Sequence, residues 1–278
     1  MRILDGLLCV HHNSIHLHDY AFLRKYRDDY YIITLHRMYR LSGYEAVNSK
    51  KTRYNGKRID KEDDERFASS ISKTKALIFE LALCNEWTSF VHMTFDKTKH
   101  DRFDLHGIYG KISKFINNYD RLHQIKLGYL LVPEKHDDGA WHIHGLIMGL
   151  PDDHLTKVTG TGNAFKHKNK TYDWVISARK YDWPAFAKSF GFIRLADILD
   201  IERVANYLRK EITTEKLKNA AKAKNRKSFY SSESLKRAEV IHRGYLIKEL
   251  DKIDYENEFV KIQKFSDLDV AMDYFEQT

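Results

Sequence analysis

The apolar positions of this chain switch between a period of two and a helical period. FVHMTFD, from Phe90 to Asp96, alternates with β-branched and aromatic residues and predicts a strand. Behind Asp104, the residues Leu105, Ile108, Tyr109, Ile112, Phe115 and Ile116 fall on one stripe, which predicts a helix capped by Asp104 and lying on a sheet. GYLLVPE (Gly128 to Glu134) and WHIHGLIM (Trp141 to Met148) read as two strands, and the polar loop KHDDGA between them makes a hairpin. Upstream, Ile71, Ile78, Leu81 and Ala82 predict a helix from Ala68 to Cys84, and Tyr30 to Leu35 reads as a strand.

Other segments are shorter or more polar. The charged run NSKKTRYNGKRIDKEDDER reads as a solvated linker, and Pro151 to Lys180 is polar and irregular. YDWPAFAKSFG predicts a short helix with Asp182 near its cap, Pro184 in its first turn and Gly191 at its end. FIRLADI reads as a strand, residues 199–218 as a helix and KSFYSS as a further strand; the acidic tail adds a strand at Phe259 to Phe265 and a short helix. The order strand, helix, strand, strand, helix, strand, helix predicts an α+β fold, a split βαβ antiparallel sheet with helices on one face. Three spans follow from composition: 1–66 as an N-terminal segment and charged linker, 67–245 as the principal domain, and 246–278 as an acidic C-terminal extension. There is no internal repeat.

Composition narrows the class. The chain has 278 residues, and its 42% hydrophobic content suffices for a packed core. A formal net charge of +8 and 17 tyrosines favour a polyanionic partner over an acidic small molecule. Cys9 and Cys84 form neither a disulfide framework nor a metal knuckle; they read as small buried hydrophobes in a reducing cytoplasm. The start MRILDGLLCVHHNSIH is too short and polar for a signal peptide, and no window reaches the roughly 18 to 20 apolar residues of a membrane span. A soluble, cytoplasmic protein with no membrane partner is the expectation.

Two histidine triplets carry the candidate chemistry. In WHIHGLIM, His142 and His144 share one face of the predicted strand, where two imidazoles can clamp one cation. A bare triplet also admits a plain reading, half-buried histidines bonded to their neighbours. IHLHDY, with His16 and His18, has that same pattern and nothing around it to supply a third ligand. Glu134 ends the preceding strand and completes two nitrogens and one carboxylate if it pairs opposite His142 or His144. Pairing of 134 with 141 misses by one residue, so a bulge or slipped register at Pro133 is expected. His136, Asp137 and His92 stand as alternative third ligands.

Downstream, ERVANYLRKEITTE predicts a helix with Arg203, Tyr207, Lys210, Glu211 and Thr214 on a polar face and Ile201, Val204, Leu208 and Ile212 on an apolar one. A phenol with its ordinary pKa near about 10 is a poor nucleophile until a cation favours phenolate, which Lys210 or a metal can do. The plain alternative is an exposed tyrosine on an amphipathic helix.

Taken in order, FVHMTFD, Glu134 with WHIHGLI, and NYLRK resemble the rolling-circle replication initiator (Rep) proteins of bacterial phages and plasmids, in the HUH endonuclease superfamily. LALCNEWTSFVHMTFD, DRFDL, LLVPEKHDDGAWHIHGLI and FYSSESLKRAE extend the resemblance over Ala68 to Glu239. It implies a ferredoxin-like HUH core in 67–245 and a metal-dependent DNA endonuclease and strand transferase. By that resemblance His142, His144 and Glu134 hold Mg²⁺ or Mn²⁺. Tyr207 attacks the scissile phosphate, leaving a 5′-phosphotyrosine and a free 3′-OH, and Lys210 matches the lysine of the family's YxxK motif. The implied partners are single-stranded or hairpin origin DNA, a host helicase and the replication machinery of a bacterial cytoplasm.

This chain departs from its relatives at three places. Glu211 stands where two-tyrosine members have a second tyrosine, His92 where many have threonine, and Glu233 and Ser234 where many have Arg and Gly.

From Arg203 to Lys248 the chain carries thirteen lysines and arginines against four glutamates, the expected track for DNA. Arg203, Arg209, Lys222, Lys224, Arg226, Lys227, Lys236 and Arg237 are its candidate phosphate contacts, and Phe229 and Tyr230 its candidate stacking rings. Solvated loops are the plain reading of KAKNRK and of HKNK. No GxxxxGK[ST] occurs, so unwinding falls to another protein. The rival functions are a conjugative relaxase or single-tyrosine transposase, a DNA-binding regulator without catalysis, and a structural or RNA-binding module, for which no RNP or KH pattern is found.

Overall fold

The computed structural model describes residues 9–11, 14–40, 60–158, 166–167, 170–171, 181–210, 212 and 227–276. It is a mixed α+β protein whose contacts divide the chain into two compact units. One is Arg58–Lys236; the other joins Met1–Lys57 to Arg237–Thr278. The three consecutive spans read from composition, 1–66, 67–245 and 246–278, do not follow this division. The reason is strand pairing between the two ends of the chain: Val260–Phe265 lies antiparallel to Tyr30–Arg40, and Glu239–Tyr245 to Ser14–Arg27. The apolar side of that sheet, with Ala21, Leu23, Tyr31, Ile33 and Phe265, is buried under Ala271, Tyr274 and Phe275 at the helix Leu268–Met272. The acidic tail is thus part of a core.

In the Arg58–Lys236 unit, an antiparallel sheet runs in spatial order Tyr230–Ser231, Gly128–Lys135, Trp141–Met148, Ser89–Phe95, Gly191–Ala196, Tyr181–Asp182, Thr156–Lys157. One face carries Val91, Met93, Phe95, Leu131, Ile143, Ile147, Ile193 and Leu195. Packed on it are Ile108, Ile112 and Ile116 of the helix Leu105–His123, with Phe186 and Phe190 of Pro184–Phe190. Asp104 caps the longer helix as predicted, its carboxylate accepting from the Gly107 N–H at 3.1 Å. Gly191 ends the shorter one at φ +128°, where a side chain would strike the Asp96 nitrogen and the Thr94 carbonyl oxygen.

The other face takes the helices Asp60–Leu83 and Ile201–Lys210, the latter through Tyr207 against Phe90. Helices therefore cover both faces, not one as the alternation suggested. The run 142–147 is buried at every position, which is what a strand covered on both sides looks like. The first of these helices begins eight residues before the predicted Ala68 and takes in the acidic end of the charged run, Asp60 to Glu65. The rest of that run, 48–59, lies outside the described residues. No described helix is long and apolar enough to cross a membrane.

Candidate metal centre

Three strands build the site, and their register decides it. Trp141–Met148 is flanked by Gly128–Lys135 on one side and Ser89–Phe95 on the other. On the first side Glu134 lies directly opposite His142; on the second His92 lies opposite His144 and Thr94 opposite His142. No bulge interrupts either ladder, so the slip expected at Pro133 does not occur. Regular pairing already brings the carboxylate to the imidazole, because cross-strand partners share a face. Pro133 pairs with Ile143 within the ladder.

Gly145 lets the strands approach this closely. A side chain at that position would meet the Leu130 carbonyl oxygen at 2.4 Å and Leu131 Cδ2 at 2.7 Å. The glycine that follows the second histidine thus belongs to the packing between the two strands.

Three of the four side chains are buried. His142, His144 and Glu134 are 3%, 1% and 3% exposed. Glu134 Oε2 lies 3.2 Å from His142 Nε2 and 3.1 Å from His144 Nε2. An ionised carboxylate only accepts, so each Nε2 donates its ring hydrogen to this oxygen. The His92 ring stacks on His144 at 4.6 Å and 5°, and stands edge-on to His142 at 5.4 Å. The ligand atoms of His92, His142 and His144 all lie within 4.8 Å of one another, a group that could hold a metal ion.

Electrostatics follow from burial. Burial, then the nearby His144 and His142 rings, push His92 down to about 2, so it is neutral at ordinary pH. Burial would raise Glu134, but hydrogen bonds from His142 and His144 outweigh it and hold the carboxyl well below its usual range. Neutral imidazoles and an ionised carboxylate are the forms a cation requires. His142 Nδ1 is buried without a hydrogen-bond partner among the described residues.

Tyr207 comes to this cluster from the helix Ile201–Lys210. Its hydroxyl is 3.4 Å from His144 Nε2 and its ring stands edge-on to Phe90 and His144. The sequence pattern put Tyr207 on an exposed polar face with Arg203 and Lys210. The structure turns it inward, 7% exposed, beside Val204, Ala205 and Leu208. Three residues after Val204, it lies on the flank of the apolar stripe, near enough to be carried under with it. Arg203 and Lys210 remain exposed, and no contact joins Lys210 to the cluster among the described residues.

The fallback ligands separate clearly. His92 is in the cluster; His136 lies at its rim, exposed, with its ring 3.9 Å from that of His142. Asp137 is exposed in the hairpin loop. The strand alternation of FVHMTFD could have singled out His92, yet only the adjacency of strands 89–95 and 141–148 puts it opposite His144.

The basic track is only partly described. Lys222, Lys224 and Arg226 lie outside the described residues, as do Glu211 and Thr214. Arg203 pairs with Asp200 at 3.1 Å, and the Arg209 guanidinium lies over the Phe79 ring. Lys227, Lys236 and Arg237 are exposed and Phe229 is half-buried. Tyr230 is 5% exposed, with its ring stacked on Tyr109 at 3.3 Å. It is therefore a core residue and no base-stacking ring, because its short strand pairs with Leu131 beside the helix that carries Tyr109. Cys84 is buried, as read. No family profile, no curated protein and no solved structure matches this chain.

Proposed function

We propose that this protein is a single-tyrosine, metal-dependent DNA nicking and joining enzyme that acts on single-stranded origin DNA in rolling-circle replication. The observation that carries the reading is the Tyr207 hydroxyl lying 3.4 Å from His144 Nε2, at the edge of a cluster of three imidazoles and one carboxylate. The order of strands and helix around it supports the HUH-type core that the sequence resembles.

His142, His144 and Glu134 would hold the ion, with His92 as a further nitrogen donor. A donor set rich in imidazole with one carboxylate suits Mn²⁺ better than Mg²⁺, which prefers oxygen. Bound there, the ion would polarise the phosphoryl oxygens. The protein's own part is positional. Helix 201–210 points Tyr207 Oη at the cluster, and Phe90 fixes its ring. Tyr207 Oη attacks the scissile phosphorus, a tyrosine O–P bond forms and the bond to the 3′ oxygen breaks. The phenol loses its proton and the leaving oxygen gains one, so the 3′-OH is left to reverse the step.

The test is incubation with Mn²⁺ and single-stranded oligonucleotides from the same replicon, followed by mass spectrometry of the protein. A 5′-linked nucleotide on Tyr207, absent in EDTA, is the expected result. An adduct that persists in Tyr207→Phe removes the nucleophile assignment.

A further inference from the structure

The sheet face that carries the cluster has three rows of cross-strand neighbours, and they are not covered evenly. Leu130, Leu146, Phe90 and Ala196 form one row, buried along its whole length. Val132, His144, His92 and Arg194 form the next, and Glu134, His142, Thr94 and Phe192 the third. In both of these rows the members on strands 128–135 and 141–148 are buried. His92, Thr94 and Arg194 are half-buried, and Phe192 is 42% exposed. The cluster is thus closed toward Gly128–Lys135 and gains exposure toward Gly191–Ala196.

Arg194 stands on that more open side. It pairs opposite His92, so its side chain leaves the sheet on the face of the cluster. The guanidinium lies 4.9 Å over the Phe192 ring, which holds it at the end of the third row. Its Nε is buried without a hydrogen-bond partner, and the guanidinium makes no ion pair, among the described residues. A half-buried guanidinium ordinarily faces an acceptor, because taking its charge out of water is costly. The carboxylate of the cluster does not serve. Glu134 is three strands away, about 14 Å by backbone spacing, and its Oε2 is already held by His142 and His144.

We infer that Arg194 is a substrate-binding residue, the anchor for a phosphate of the DNA strand on the open side of the cluster. The planar fork of a guanidinium matches two phosphate oxygens, a fit that lysine does not reproduce. Its charge also makes sense only with an anion. A lone cation next to a metal-binding cluster opposes the metal, since like charges repel. A phosphodiester set between them is attracted by both, and the same pair of positive charges stabilises the charge that grows on its oxygens during transfer. That the anion is a linkage of single-stranded DNA rests on the nicking function proposed above. That the place takes an anion rests on the unmatched charge of Arg194.

The experiment is fluorescence anisotropy of a labelled oligothymidylate with the full chain and Mn²⁺, in a Tyr207→Phe background so that no adduct forms. Arg194→Gln and Arg194→Lys are compared with the unaltered arginine, and the same proteins are titrated with Mn²⁺ in a calorimeter and melted. Arg194→Gln, which keeps a polar stem without the charge, is expected to weaken DNA binding by about tenfold or more. Its slope of log affinity against log salt falls by about 0.7, one phosphate contact on a single strand. Its Mn²⁺ affinity is expected to be equal or tighter, because a repelling charge is gone. Arg194→Lys keeps the slope and binds several-fold more weakly than arginine. Unchanged DNA affinity and slope in Arg194→Gln overturn the proposal. So does weaker DNA binding accompanied by weaker Mn²⁺ binding and a lower melting temperature, the mark of a residue that only braces the cluster. If Arg194→Gln does not fold, Arg194→Lys decides, and affinity equal to that of arginine overturns the proposal. A chain whose DNA binding depends on Arg194 and which forms no adduct on Tyr207 keeps the anchor and removes the nicking function.

Discussion

His142-Ile143-His144 and His16-Leu17-His18 are the same pattern on two antiparallel strands, and the difference between them lies in what stands opposite. Opposite the first pair are Glu134, Thr94, Val132 and His92. Opposite the second are Cys9 and Arg40 for His16 and Met38 for His18. The first pair is buried with two side-by-side donors from flanking strands, while His18 is exposed. A candidate ligand set is therefore a property of three strands, of which the motif occupies one. Its neighbours bring the remaining donor groups beside it and bury them.

The strongest way to break this comparison is through Tyr207. Tyr207→Phe is expected to abolish the covalent adduct, read by mass spectrometry, with the fold unchanged. Next are paired substitutions in the two triplets. His142→Ala is expected to lower metal-dependent cleavage by more than about 100-fold, beyond the effect typical of an outer-shell partner. His16→Ala and His18→Ala are expected to leave it within about twofold, as changes outside the cluster do. Equal losses in both triplets would end the distinction.

His92→Gln sharpens it further. Calorimetric titration with Mn²⁺ is expected to show affinity lower by about 10 to 100-fold; unchanged affinity would make His92 a packing residue. Gly145→Ala tests the close approach of the strands. The added methyl meets the Leu130 carbonyl oxygen, and the resulting overpacking is expected to cost about 1–3 kcal/mol in denaturant unfolding.

Acidification acts on the same cluster. His92 is neutral in the folded chain down to about 2 and titrates near 6.5 when unfolded. Below about 6.5 the unfolded chain takes up a proton that the folded one refuses, so stability falls progressively as pH drops toward 2. In EDTA the melting temperature is expected to fall more steeply with acidification in wild type than in His92→Gln.

Much of this was legible in the chain. The helix behind Asp104, the hairpin around KHDDGA and the tail's strand and helix follow from period and caps, which are local properties. Glu134 was within reach too, since a regular hairpin register suffices and the expected bulge was not needed. The exposed setting read for Tyr207 and the stacking role read for Tyr230 failed for one reason: amphipathic spacing says which residues share a side, and packing says how far that side is carried under.

The sequence by itself determined the elements, the common face of His142 and His144, and a basic chain rich in tyrosine, because alternation and charge are written residue by residue. Only the tertiary structure decided that strand 89–95 lies beside strand 141–148 and brings His92 against His144. It alone joined the two ends of the chain in one sheet and turned Tyr207 toward the cluster. Those are contacts between residues far apart in the chain, and they are fixed by which apolar surfaces bury one another, a choice that no local pattern records.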